Sequence, residues 1–254
     1  MLKFFRKIRK KLIERENVRK YTLYAIGEIL LVVFGILIAL QLNILKEEAG
    51  DRKVTEKLLS GVQADLKLEA DRIDFLYAYY STMTEGIQNI LLFQQEKENY
   101  TNKELGRYFL DTFEFRNFSK IDINYQTLFG SGLLQSIEDT KLTEEIITYY
   151  STQFLEWSLE VYQYKIGRFD FNSAAQFHPL DKLQASAEYV SIPDFRLDTS
   201  AGFQTDFKVF LKEPDVLNHL VDLLHQSELV FYNLKTYRES NQTLSNRIQN
   251  YQNK

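Results

Sequence analysis

The most restrictive feature of the sequence is one long apolar run near the amino terminus. From Thr22 to Leu45 the chain has 24 residues, of which only Glu28 is ionisable. A helix rises about 1.5 Å per residue, so a run of this length crosses a bilayer's hydrocarbon core, which is about 30 Å thick. A cleaved signal peptide is the alternative, but its apolar region would be shorter and would end in small residues, whereas this run continues through Gln41 and Asn43. The sequence therefore predicts a transmembrane helix over residues 22–45.

Basic residues are concentrated before this helix. Residues 1–20 hold nine Lys or Arg against two Glu, a net charge of +7, whereas the rest of the chain carries −11. An excess of Lys and Arg beside a membrane helix is typical of the cytoplasmic side. We therefore expect a basic cytoplasmic stub (1–21), the membrane helix (22–45) and an exported domain (46–254), which lies in the periplasm if the cell has two membranes. The absence of cysteine is compatible with that oxidising compartment.

The stub is expected to lie on the membrane surface. Its apolar residues, such as Phe5, Ile8 and Leu12, recur at helical spacing among basic ones, as in an amphipathic segment on anionic lipid. The candidate lipid-contacting residues are Lys3, Arg6, Lys7, Arg9, Lys10 and Lys11. Nucleic-acid binding is the other interpretation of a basic run. The adjacent membrane helix favours the bilayer as the partner, so no nucleic acid is expected. A stub of this length is also too short to hold a signalling domain.

The exported domain has the apolar spacing of helices. Between Leu59 and Ile90 the apolar residues recur every three or four positions, as in a coiled coil, and Glu69 is the one break in this pattern. Every proline lies at or beyond Pro179, so the membrane helix and this segment can form one helix. We expect an all-α protein, in which one N-terminal transmembrane helix is followed by an extracytoplasmic antiparallel helical bundle with a long first helix.

Turn signals and apolar spacing divide the rest of the exported domain. The expected elements are a helix over 103–115, a helix stopped at Gly130 and Gly132, one long aromatic helix capped by Asp139 or Thr140 that reaches Tyr164, and a final helix from Pro214 to about Asn246. Residues 167–206 are expected to form an extended connection that contains either a short strand or a turn of helix.

Two stretches resemble a known family. The stub KFFRKIRKKLIERE followed by KYTLYAIGEILLVVFGILIALQLN resembles the hallmark of a large domain-of-unknown-function family of single-pass membrane proteins from Bacteroidota. A less specific stretch, with Tyr125, a Ser131–Gly132 turn and the pair Tyr149–Tyr150, is similar to the same family's pattern. That family often has Asn-Trp-Asn just after the membrane helix, and this chain does not. The resemblance implies an inner-membrane protein of unknown activity, and it carries over no catalytic or binding residue.

Glu28 is the candidate functional residue of the membrane helix. At 100° per residue, Gly35 and Ala39 lie within about 20° of it around the helix axis. Two small residues four apart allow a partner helix to approach closely, and Glu28 can pair with a polar group across that contact. Two other interpretations remain: Glu28 reaches back to the lipid headgroups, or it relays protons in a stator-like subunit.

The sequence contains none of the motifs that would indicate an enzyme. It has no G-x-S-x-G elbow, P-loop, G-x-G-x-x-G or Cys/His cluster, and His219 and His225 are six apart, which is the wrong spacing for two ligands on one helix face. We expect no catalytic residue, cofactor or metal. Eight aromatic residues either fill a core or line a groove for a ligand, namely Tyr77, Tyr79, Tyr80, Tyr149, Tyr150, Trp157, Tyr162 and Tyr164.

These observations predict an interaction role. We expect a membrane-anchored periplasmic scaffold or interaction protein, which assembles as a homo-oligomer or with another membrane protein through its membrane helix and its exported bundle. The alternative is an extracytoplasmic ligand-sensing module that signals through a separate partner.

Overall fold

One helix dominates the structure. The computed structural model describes residues 18–171, 176–178, 180–187 and 202–253. Helix α1 (Val18–Gln94) has 77 residues, and at 1.5 Å per residue it is about 115 Å long. Gly50 and Gly61 lie within it without ending it. The prediction that the apolar run and the spaced segment form one helix is confirmed.

The amino-terminal part of α1 is exposed. One segment of this helix is long and apolar enough to cross a membrane, and none of the residues in its most apolar window is buried. Its large side chains, from Leu23 to Leu45, are exposed. This part of α1 is therefore a candidate membrane span, and buried residues begin only at Thr55.

Seven further α-helices and one short 3₁₀ helix follow among the described residues. They are α2 (Asn102–Asp111), α3 (Ile123–Gly130), the 3₁₀ helix Leu133–Ser136, α4 (Thr140–Ser151), α5 (Glu156–Gly167), α6 (Leu180–Ala187), α7 (Phe207–Phe210) and α8 (Pro214–Gln252). The described part of the chain contains no strand, so it is all-helical.

Helix α8 packs along α1. The Gln252 side chain donates to the carbonyl of Glu56 over 3.1 Å, and the Asn241 side chain donates to the carbonyl of Leu66 over 2.9 Å. Further along α1, the ring of Tyr77 contacts the ring of Phe231, with centroids 5.2 Å apart. The contacts therefore follow opposite chain order in the two helices. The spaced apolar residues of α1, including Leu59, Leu66 and Ile87, are completely buried.

The end of the packed region farthest from the candidate span is rich in phenylalanine. Asn102 accepts from the backbone N–H of Phe207 over 2.7 Å, and the buried Asp181 accepts from the backbone N–H groups of Gln204 and Thr205 over 2.8 and 2.7 Å. These bonds fix α6 and α7 around the ring of Phe109. The rings within 6.5 Å of Phe109 are Phe113, Phe169, Phe171, Phe177, Phe207 and Phe210.

The prediction of one long aromatic helix after Asp139 is wrong. Asp139 does cap a helix, since its side chain accepts from the backbone N–H of Leu142 over 3.1 Å. That helix ends at Ser151, however, and α5 begins at Glu156. The Lys120 ammonium donates to the carbonyls of Tyr149, Tyr150 and Thr152. The last carbonyl groups of a helix lack backbone N–H partners within it, and a cation at the carboxyl end supplies donors to them.

Two other boundaries differ from the sequence expectation. Helix α2 ends at Asp111 rather than 115, and α8 extends to Gln252. In the connection over 167–206, residues 180–187 form a short helix, which is one of the two expected alternatives there. The turn after α3 agrees with the prediction, because Ser131 caps the helix and Gly132 has a φ of 75°, a conformation that favours glycine. Pro214 lies in the first turn of α8, also as predicted.

Candidate functional site

The residues predicted to mediate a helix contact lie on the exposed part of α1. Gly35 and Ala39 are exposed, and a Cβ atom at Gly35 would have no neighbouring heavy atom within 4 Å. Glu28 is half-buried. No other described element packs over Gly35 and Ala39, so this face is open to another chain. The six basic residues expected to contact lipid, Lys3 to Lys11, lie outside the described residues.

The structure places a carboxylate in the core at Glu69, the position that breaks the apolar pattern of α1. Glu69 is completely buried. One of its oxygens accepts from the backbone N–H of Ile121 over 2.7 Å, and the other accepts from the hydroxyl of Tyr149. The side chain of Asn241 donates to the Tyr149 hydroxyl over 3.0 Å. A buried carboxylate requires such partners, so Glu69 joins α1 to α4, α8 and the segment before α3.

Lys120 lies next to this carboxylate. Its ammonium donates to the carbonyl of Tyr149 over 2.8 Å and lies over three aromatic rings, 5.0 Å from the centroid of Phe154, 5.5 Å from that of Tyr149 and 6.0 Å from that of Tyr237. Stacking of Phe154 on Tyr237, with centroids 4.5 Å apart and an interplanar angle of 9°, completes the cluster. The cation thus fixes the end of α4 against the core, and Glu69 provides the nearby opposite charge.

A second acidic residue lies one turn earlier on α1. Asp65 is buried, and one of its oxygens accepts from the backbone N–H of Asn124 over 3.2 Å and from its side-chain amide over 3.0 Å. Asn124 lies against Gly61, where an added Cβ would come within 2.3 Å of the amide oxygen. Gly61 is therefore required for the close approach of α3 to α1.

Burial sets the ionisation of these groups. Burial raises the pKa of Glu69, and the hydrogen bonds from Tyr149 and from the Ile121 N–H oppose that shift. Burial, together with the charge of Glu69, raises the pKa of Tyr149, so the phenol remains the donor. Burial lowers the pKa of Lys120, and the nearby carboxylates of Glu156 and Glu69 oppose the shift.

An elongated groove runs beside this cluster on the outside of the molecule, between α4 and α8. Its volume is about 670 Å³. We call it the α4/α8 groove, and its lining residues are Lys141, Glu144, Glu145, Thr148, Tyr149, Thr152, Phe154, Thr236, Glu239, Ser240, Thr243 and Leu244. Tyr149 is shared, because its hydroxyl belongs to the Glu69 cluster while the residue also lines the groove. The groove is larger than two other grooves of the described residues, one beside Tyr79 and Arg116 of about 400 Å³ and one beside Arg168 and His219 of about 380 Å³.

The eight aromatic residues considered from the sequence divide between core and surface. Tyr80, Tyr149 and Tyr162 are buried, whereas Trp157 and Tyr164 are 61% and 62% exposed. Tyr77 is also exposed, and Tyr79 and Tyr150 are half-buried. Only Tyr149 of this set lines the α4/α8 groove. Five of the eight, the three buried and the two half-buried residues, therefore pack in or against the core, and the other three lie on the surface.

One local signal in the sequence points to Glu69, and none points to the partners of Glu69 in the cluster. A single acidic residue at an apolar position of a long helix indicates a buried polar site. Lys120 and Asn241 carry no comparable signal, because Lys120 lies in a connector and Asn241 follows the spacing of α8 without a motif. Their roles depend on which elements meet in three dimensions.

The chemistry available to these sites is binding and positioning. The Glu69 carboxylate is inaccessible to solvent, and both of its oxygens accept hydrogen bonds from the protein. In the part of the chain that the structure describes, no group of three His, Asp or Glu side chains could hold a metal ion.

Comparison with known proteins gives no relative on which to base a role: no family model, no curated protein and no solved structure matches this chain.

Proposed function

We propose that this chain is a single-pass protein of the bacterial inner membrane that acts as an interaction scaffold and not as an enzyme. In this proposal residues 1–21 are cytoplasmic, residues 22–45 cross the membrane, and residues 46–254 form an extracytoplasmic antiparallel bundle. The observation that carries it is the continuity of α1, which runs from the exposed apolar segment into the packed core without a break.

The charge distribution supports the proposed orientation. The nine basic residues before the apolar segment belong on the cytoplasmic side by the positive-inside rule. The opposite chain order of the contacts between α1 and α8 supports an antiparallel bundle. The resemblance to the Bacteroidota family favours the same location, and membership of that family is part of the proposal.

The exposed face of the membrane segment supports a partner. Gly35 and Ala39 leave room for a second helix, and Glu28 lies on the same side of α1. We infer that a second helix, either from another copy of this chain or from a different membrane protein, packs on this face.

Isolation of the complex tests this role. The full-length protein would be purified from membranes in mild detergent beside Glu28→Gln and Gly35→Ile, and the co-purifying proteins would be identified by mass spectrometry. We expect a partner, or a homo-oligomer, that both variants weaken. Leu37→Phe, which adds bulk on the opposite face of the helix, is the matched control and should retain the complex. Recovery of the monomer alone in every case would contradict the scaffold role.

The α4/α8 groove favours a second candidate function, a ligand-sensing module that signals through a separate partner. Its volume of about 670 Å³ lies within the range of small-molecule sites, about 300–1,000 Å³. In both candidate functions, the scaffold and the ligand-sensing module, the chain acts through a separate partner protein. They differ in whether the exported helices must bind a small molecule first.

A further inference from the structure

We propose that the α4/α8 groove binds a small linear organic cation with two or more primary ammonium groups, that is, a polyamine. This site goes beyond the scaffold role, since it needs no membrane partner. The proposal rests on three properties of the groove: its hydrogen-bonding character, its charge and its shape.

Three threonine hydroxyls in the groove already donate their protons to backbone carbonyls and so offer acceptors towards a ligand. Thr152 donates to the carbonyl of Thr148 over 2.7 Å, Thr236 to that of Tyr232 over 3.0 Å, and Thr243 to that of Glu239 over 2.7 Å. Each hydroxyl has one proton, which is used within its own helix, and two lone pairs. A ligand that satisfies this lining must therefore supply donors, and an ammonium group supplies three.

The charge of the lining also favours a cation. Three glutamates and one lysine line the groove, which gives a net charge of −2. Glu145 is already paired with Arg247 over 2.9 Å. Glu144 and Glu239 have exposed side chains, and within the described residues neither has a salt bridge. Two carboxylates, one on each helix, are thus available to two ammonium groups.

The aromatic floor already accommodates an ammonium group. Lys120 lies 5.0 Å from the ring centroid of Phe154 and 5.5 Å from that of Tyr149, and both residues line the groove. The faces of such rings attract cations. Lys120 is not itself a lining residue of the groove, and its ammonium is held by the carbonyls of Tyr149, Tyr150 and Thr152.

The shape favours a linear ligand. The lining residues of α4 and its carboxyl end run from Lys141 to Thr152, a length of about 16 Å at 1.5 Å per residue. Leu244 and the ring of Phe154 provide apolar contacts for methylene groups between the charges. A compact cation would use only one end of such a site.

Calorimetric titration of spermidine into the full-length protein in neutral detergent tests the proposal. We expect saturable binding to the wild type and an affinity about tenfold weaker in Glu144→Gln/Glu239→Gln, because both ammonium partners are lost. Glu85→Gln/Glu160→Gln removes the same charge from exposed positions outside the groove and should bind like the wild type. Thr243→Val, which removes a hydroxyl acceptor at nearly constant volume, should also weaken binding.

Three results would overturn the proposal. The first is the absence of saturable spermidine binding to the folded wild type. The second is equal weakening in both double variants, which would indicate diffuse charge attraction. The third is binding of a lysine-rich peptide without binding of spermidine, which would identify a protein segment as the occupant. None depends on the membrane partner, so the scaffold role is tested separately.

Discussion

Glu69 is a buried residue whose ionisation is linked to folding. Because burial raises its pKa above the ordinary value of 4.5, the folded state favours the protonated form. Its contribution to stability is therefore fully present below the ordinary pKa and is lost as the pH rises through the raised pKa. We expect Glu69→Gln, which cannot ionise, to gain stability relative to the wild type as the pH rises from 4.5 towards neutrality.

Urea unfolding followed by circular dichroism at several pH values measures this difference. Glu160→Gln is the control, since Glu160 is exposed and should leave the pH dependence unchanged. A constant difference between Glu69→Gln and the wild type across this pH range would show that Glu69 does not titrate with folding in the way its burial requires.

His219 should cause a loss of stability in acid. Burial lowers its pKa from 6.5 to about 4, and its ring lies between Phe113 and Phe169, with centroids 5.6 and 4.8 Å away. The unfolded chain therefore takes up this proton first. Its contribution to stability is present above pH 6.5 and is lost as the pH falls towards 4. His219→Phe should lose about 2 kcal/mol less than the wild type over this interval.

The same unfolding experiment between pH 7 and 4 checks this value. His225 has a side chain that is 81% exposed, so His225→Phe should follow the wild type. If His219→Phe and the wild type lost stability in parallel, proton uptake by His219 could not be a cause of acid unfolding.

At the scale of elements, the contact between α1 and α3 depends on Gly61. A Cβ there would lie 2.3 Å from the side-chain oxygen of Asn124. The amide nitrogen of the same side chain donates to Asp65, which holds the side chain in place. We expect Gly61→Ala to destabilise the protein by about 1–3 kcal/mol, the usual cost of overpacking. Gly50 is the matched control in the same helix, because a Cβ there meets nothing within 4 Å. Gly50→Ala should stabilise the helix by about 0.5–1 kcal/mol.

Thermal unfolding of Gly61→Ala and Gly50→Ala separates the steric effect of the added methyl group from its effect on helix propensity. Both substitutions add the same methyl group to α1, so only the neighbouring side chain differs. If Gly61→Ala were as stable as Gly50→Ala, Asn124 would have to move aside without cost, and the hydrogen bonds from Asn124 to Asp65 would not be essential for docking α3.

The elements that were predictable are those that local spacing defines. The apolar positions of α1, the Asp139 cap, the turn at Gly132 and the start of α8 at Pro214 each have a signal within a few residues. The break between α4 and α5 has none, because no proline or glycine occurs there. The contact that accompanies the break comes from Lys120, about 30 residues earlier in the chain, so local sequence carries no signal for it.

The candidate sites follow the same rule. Glu28 and Glu69 each stand out as a charge in an apolar pattern, so a single helix is enough to notice them. The α4/α8 groove needs two helices separated by about 90 residues, and its threonines have no distinctive spacing. Its acceptor character arises only when each hydroxyl donates to its own helix.

At the scale of the whole molecule, α1 determines how far the packed helices stand from the proposed membrane. Leu59, the first fully buried leucine of the core, lies fourteen positions after Leu45, which corresponds to about 21 Å of helix. Arg52 on this stretch pairs with Glu138, near the start of α4. A partner bound at Gly35 would therefore contact the same continuous helix that carries the packed region.

The claim on which this account depends is that α1 crosses the membrane and carries the packed helices to the outside. The chain has no cysteine, so single-cysteine variants can be labelled at one position only. The decisive measurement is labelling of Ser81→Cys and Glu16→Cys by a membrane-impermeant maleimide. The reagent is added to unlysed cells whose outer membrane is permeabilised and whose inner membrane is intact. We predict that Ser81→Cys, at an exposed position of α1, reacts in intact cells, and that Glu16→Cys reacts only after lysis. Labelling of Glu16→Cys alone, or of neither variant before lysis, would contradict the account.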